Sequence, residues 1–228
     1  MKLMRIARRA APPVALLLGG CSGLLHSTAA PEQIYYLRPP APSDAAPAAP
    51  AGASVRVGHP MADPGFDTPH IMLRQPDHRM SFYAGSRWPS AMPDVVAALV
   101  VQTLRASGNW TSVEDSASPF PSDYLLQITV RRFDADYSAG TAAPEVHVMF
   151  DCIIGRREGR EPVSSFVVSG SAPAAENRRA QVVGAFEQAL GSALVALRQQ
   201  ALQAVRSDAA HAAQNATSPA PSKSLQSQ

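Results

Sequence analysis

Cysteine is almost missing from this chain, with two in 228 residues, which rules out a disulfide framework as the source of stability. Missing too are a zinc-type H-x-x-x-H or C-x-x-C cluster, a glycine-rich phosphate loop and a G-x-S-x-G nucleophile elbow. Those absences remove the common metal, nucleotide and serine-hydrolase chemistries, and the chain reads as a non-enzyme with no cofactor and no metal. His59, Asp63, Asp67, His70, Asp77 and His78 are ligand types crowded into one stretch, but its Pro, Asp and Gly content marks exposed loops. Strong charge of either sign is also lacking: 20 basic and 18 acidic residues give +2. Lys2, Arg5, Arg8 and Arg9 supply four of those bases, so the rest carries 16 against 18, or −2. Arg131-Arg132, Arg156-Arg157 with Arg160, and Arg178-Arg179 are short groups set among acids. They read as solvated charges and not as a nucleic-acid footprint. No long hydrophobic run is evident near the start, since Ala10 to Leu18 is too short to span a bilayer.

What is present begins with that short run. A basic head, Met1 to Arg9, precedes it, and Leu18-Gly19-Gly20-Cys21 follows. The arrangement is that of a secretory signal, and its last four residues resemble the bacterial lipobox. The resemblance implies a signal peptide over residues 1–20, cleavage before Cys21 and acylation of Cys21 on its thiol and freed amine. Cys152 is then unpaired in an oxidising compartment, where a spare thiol must be hidden. Alternation over Glu145 to Ile154 places Val146, Val148, Phe150, Cys152 and Ile154 on one strand face, so Cys152 is expected to be buried and inert.

Residues 21–52 form the lipidated cysteine and a Pro/Ala-rich tether, with Pro39-Pro40, Ala46-Pro47 and Ala49-Pro50. Such sequence favours extended conformations, and thirty residues reach on the order of 90 Å at full stretch. Ile34-Tyr35-Tyr36-Leu37 is an apolar island within it, expected to dock on the domain. Residues 53–206 carry the folded domain, and 207–228, poor in hydrophobics, read as a disordered tail. Within the domain Ser54 to Gly58 is a short strand. Ile71 to Arg74 and Arg79 to Tyr83 flank a polar turn as a hairpin. Met92 to Ser107 is a helix with its stripe on Val95, Val96, Leu99, Val100 and Leu104, and Pro93 sits where helices tolerate it. Trp110 to Glu114 is a short strand. Asp123 to Asp134 is a strand with Tyr124, Leu126, Ile128 and Val130 on one face. Glu145 to Arg156 and Pro162 to Ser169 follow as strands, then a long helix over Glu176 to Arg206. The expected fold is α/β: one small domain with a mixed β-sheet flanked by two main helices.

Three residues between hairpin and helix are candidates for partner binding: Tyr83, Arg87 and Trp88. Trp, Tyr and Arg dominate binding hot spots. Trp88 also suits a core anchor under the helix start, and Tyr83 and Arg87, with polar ends, suit exposure better. Asp134 and Asp136, after Phe133, are expected to satisfy a turn.

The order of these features resembles the ABC-type transport auxiliary lipoproteins, the PqiC-like family. The lipobox, Tyr35-Tyr36-Leu37, Val55-Arg56-Val57-Gly58, Pro69-His70-Ile71-Met72, Arg87-Trp88, Asp123-Tyr124-Leu125-Leu126 and Val130-Arg131-Arg132-Phe133 carry the resemblance. Trp88 leads into Pro89-Ser90-Ala91-Met92-Pro93, where family members usually have small and acidic residues. The resemblance implies a lipid-anchored periplasmic accessory of an MCE-domain lipid transporter, acting by binding and positioning. Ser22, in place of the Asp that retains lipoproteins at the inner membrane in enteric-type sorting, implies the outer membrane. A structural or assembly lipoprotein of the envelope, unrelated to lipid transport, is the alternative.

Overall fold

The computed structural model describes residues 31–40 and 50–217. In chain order the elements are β1 (Gln33–Ile34), β2 (Val55–Val57), β3 (Met61–Ala62), β4 (His70–Arg74), β5 (Met80–Arg87), α1 (Met92–Ala106), β6 (Val113–Glu114), β7 (Tyr124–Asp136), β8 (Glu145–Arg156), β9 (Pro162–Pro173) and α2 (Arg179–Thr217). They build the expected α/β domain around one mixed sheet.

β7 is its axis. On one side β7, β8 and β9 form an antiparallel meander paired along nearly their full lengths. On the other side three short strands share the edge of β7 in turn, all parallel to it: β2 against Tyr124 to Leu126, β3 against Thr129 and Val130, β4 against Asp134 to Asp136. β6 extends from β2, β5 pairs with β4 as a hairpin, and β1 adds to β5.

Alternation decides which face is core. Tyr124, Leu126, Ile128 and Val130 of β7 are buried, as are Val146, Val148, Phe150, Cys152 and Ile154 of β8. Between Val130 and Arg132 the register with β8 slips by one residue, leaving Arg131 as a bulge. A bulge shifts the side-chain phase, so after it the odd positions Phe133 and Ala135 continue the core. Arg131 joins three segments, bonding Asp151 at 2.6 Å and Asp63 at 2.7 Å.

Both helices pack on this core face, α2 against β8 and β9, and α1 against β2, β3 and β6. α2 is long and apolar enough to cross a membrane by length and composition alone. Its stripe, with Val182, Phe186, Leu190, Leu194 and Leu197, is buried in the domain core instead. The approach is close: a Cβ on Gly170 of β9 would lie 2.0 Å from the carbonyl oxygen of Ala189. Ala185, Ala189 and Ala193, all buried, keep that helix face thin.

The helix outlasts its expected end at Arg206 by eleven residues, to Thr217. Asp208 explains part of the extension, since Arg156 bonds it at 2.6 and 2.8 Å and the Tyr124 hydroxyl at 2.7 Å. Burial, then the bond to Asp208, pushes that hydroxyl up to about 12. Residues 218–228 of the expected tail lie outside the described residues, as do the signal peptide and Cys21.

The apolar island docks. β1 pairs with Ser86 and Arg87, and the Tyr35 amide donates to the Arg87 carbonyl at 2.9 Å. Leu37 is buried, and Arg38 forks onto Glu187 of α2 at 2.9 and 2.8 Å. On the far side of the Pro/Ala stretch the Ala51 amide donates to the Asn109 carbonyl at 2.7 Å.

Candidate functional site

The sequence crowds ligand types into the stretch from His59 to His78. In the fold those residues disperse. His59 faces Asp94 at 3.8 Å, Asp63 holds Arg131, His70 stacks on Phe82 with centroids 4.3 Å apart, and Asp77 pairs with Arg79. Among the described residues no three His, Cys, Asp or Glu side chains gather as metal ligands.

The most buried carboxylate is Asp134, with no side-chain exposure. Its expected role at a turn is corrected by the structure. Asp134 lies inside β7 on the face away from the helices, where Arg132 bonds it at 3.1 and 2.9 Å and Arg74 at 3.3 Å. Asp136 takes the turn alone, accepting from the Ser138 amide at 2.8 Å while also pairing with Arg132 at 2.9 Å. Two acids matched by two arginines across β4 and β7 form a closed ladder that fastens the hairpin to the axis. Cys152 is buried and unpaired, and burial, with a smaller contribution from Asp151, pushes its thiol up to about 12. A thiol so held is not a nucleophile at neutral pH.

The three partner candidates lie together at the end of β5 but in different settings. Trp88 is 1% exposed, edge-on to Phe133 of β7 and Phe186 of α2 at 5.9 and 5.2 Å. Its amide donates to the Pro69 carbonyl at 2.7 Å. It is therefore out of a partner's reach in the folded domain, and its position is that of the core anchor. Arg87 is partly exposed and pairs with Glu32 at 2.9 Å. Tyr83 is half-buried, its hydroxyl 2.5 Å from that of Tyr137, which in turn bonds Asn177 at 2.7 Å. Burial and then the Tyr137 contact raise the Tyr83 hydroxyl above its ordinary range.

Two surfaces escaped the sequence reading. One is the outer edge of β9, which among the described residues pairs only with β8 and carries no charged residue and no proline from Val163 to Ala172. Long edges are usually blunted by charge, proline or bulges. The other is the sheet face opposite the helices, where Ile153 and Val167 are 44% and 56% exposed. Their alternation with core residues was visible in the sequence, but not that their face would stay uncovered.

A family model described as the ABC-type transport auxiliary lipoprotein component matches residues 35–210. The crystal structure of a Xanthomonas campestris protein assigned to the family DUF330 is similar at 27% identity. It covers 78% of this chain and 99% of its own, with a TM-score of 0.70. A second crystal structure, of an uncharacterised protein, is similar in fold at 12% identity and a TM-score of 0.51, covering 82% of this chain and 100% of its own. No curated protein matches.

Proposed function

The chain belongs to the family of ABC-type transport auxiliary lipoprotein components, and on that footing we propose that it serves an MCE-type lipid transport system as an outer-membrane-anchored, periplasm-facing accessory. It acts by binding and positioning, while the transporter's ATPase supplies the energy. The family match along almost all of the folded domain is the observation that carries this reading. The geometry supports a binding role: an open β9 edge offers main-chain donors and acceptors to a partner strand, and Arg87 is partly exposed beside the docked N-terminal segment.

The proposed anchor is Cys21, with Ser22 directing the protein to the outer membrane. Metabolic labelling with a fatty-acid analogue should mark the parent and not Cys21→Ser; equal label on both sinks the anchor. Capture from cross-linked envelopes should enrich an MCE-domain component and lose it on Arg87→Ala, with melting close to the parent's. Enrichment of peptidoglycan-linked or outer-membrane assembly proteins alone would favour the structural alternative instead.

A further inference from the structure

The end of the β8–β9 hairpin borders an open concavity of about 360 Å³ on the helix-free sheet face. Its floor is apolar, made by Leu125 of β7 and the exposed Ile153 of β8, with the Gln127 side chain beside them. Its rim carries Arg157 and Arg160 together with one acid, Glu161, while the Arg156 guanidinium turns away to Asp208 of α2. The backbone is shaped for this hairpin end. A Cβ on Gly155 would lie 2.8 Å from the Glu161 carbonyl oxygen, so only glycine lets the returning strand come so near. Gly159 and Arg160 then reverse the chain with φ of 72° and 53°, a region costly for a side-chain-bearing residue such as Arg160.

The three guanidiniums differ in what already occupies them. Arg156 is taken by Asp208 at 2.6 Å and faces Glu161 at 3.7 Å. Arg157 and Arg160 are exposed and have no side-chain partner among the described residues. Glu158, on the same turn, does not line the concavity; Glu161 does, with its carboxylate 3.7 Å from Arg156. Two free guanidiniums above an apolar floor combine two demands. Guanidinium forks match phosphate oxygens in pairs, and the floor is better covered by methylenes than by water.

We propose that this concavity is a binding site for an amphiphile with a phosphate head, the head held by Arg157 and Arg160 and the first methylenes lying on Leu125 and Ile153. Its volume is near the lower end of the roughly 300–1,000 Å³ of small-ligand sites. It therefore takes a head and the adjoining chain, not a whole two-chain lipid. The site is read from charge and surface alone and goes beyond the transport role, so either can fail without the other.

Equilibrium dialysis of the full-length Cys21→Ser chain against labelled dodecyl phosphate, held below its micelle concentration, tests this. Inorganic phosphate and neutral dodecyl maltoside serve as the other arms. Dodecyl phosphate should bind at least about tenfold more tightly than either. The double variant Arg157→Ala/Arg160→Ala should lose about tenfold or more, as expected for two charge-assisted contacts. Ile153→Ser should lose several-fold for dodecyl phosphate and nothing for inorganic phosphate, which never touches the floor. Melting curves should be unchanged, because these side chains are exposed. Equal binding of inorganic phosphate would reduce the site to an anion cradle, and equal binding of the maltoside to an apolar patch; either overturns the proposal. Full-strength binding by the arginine double variant would overturn its location.

Discussion

The two sides of β7 are built on different principles. Toward β8 and β9 the strands are twelve and thirteen residues long and stay in register except at isolated bulges. Toward β2, β3 and β4 the same strand is covered by pieces of three, two and five residues. The long side is held by continuous ladders and by α2. The short side is held by point ties: Arg131 to Asp63, the Arg74–Asp134–Arg132 ladder, and Trp88 between Phe133 and Phe186. Continuous pairing spreads stability over many residues, whereas a patchwork concentrates it in a few.

That contrast is breakable by experiment. The largest effect is expected at Trp88, a fully buried aromatic joining both halves. Trp88→Ala should cost ~3–5 kcal/mol in urea unfolding, and a loss under about 1 kcal/mol would mean the halves are not joined there. Gly170→Ala should be next, at ~1–3 kcal/mol, because α2 must move off β9. If melting is unaffected, the helix is not seated as closely as described. Cys152 probes the long side without perturbing it. Its labelling by a thiol reagent should be slow in the native protein and complete in denaturant, and fast native labelling would show β8 opening locally.

The smallest effect is expected at the end of α2. Bonds from Arg156, opposed by burial and helped by Tyr124, hold the Asp208 carboxyl below its usual range. A depressed folded value means the tie is complete above the unfolded value of about 3.9 and is lost as pH falls through the lower folded one. With intrinsic exchange rates divided out, the protection of amides 209–217 should fall several-fold in Asp208→Ala at neutral pH and in the parent after acidification, with little change in global melting. Unchanged protection would place the origin of the extension elsewhere.

The same division sets what was legible in the sequence. β7 and β8 each bury one face along their length, so period-two alternation named their core faces as far as the bulge at Arg131, Cys152 included. The hairpin, α1 and most of α2 announced themselves by turn residues and apolar stripes. β3, two residues long, has no period to read. The sharing of one edge of β7 by three parallel strands is a long-range pairing that local pattern does not encode. Asp134 was placed at a turn because the bulge at Arg131, which extends the strand past it, leaves no compositional mark. Arg157 and Arg160 looked like ordinary solvated charges for a similar reason. Only the placing of their hairpin beside Leu125 and Ile153 gives them a common target.

The docked segment at β1 and Arg38 changes the mechanics of attachment. The chain is pinned at Glu32–Ile34, again at Arg38, and again at Ala51. The Pro/Ala stretch between the last two pins therefore bridges two points of the same body and adds nothing to the distance from the membrane. If Cys21 bears the lipid as proposed, only the eleven residue steps from 21 to 32 separate the bilayer from the domain, about 40 Å at most at 3.6 Å per residue. On that proposal, a leash less than half the length that composition suggested would keep the domain close to the lipid headgroups, where it would sweep a small volume and meet its partners at high local concentration.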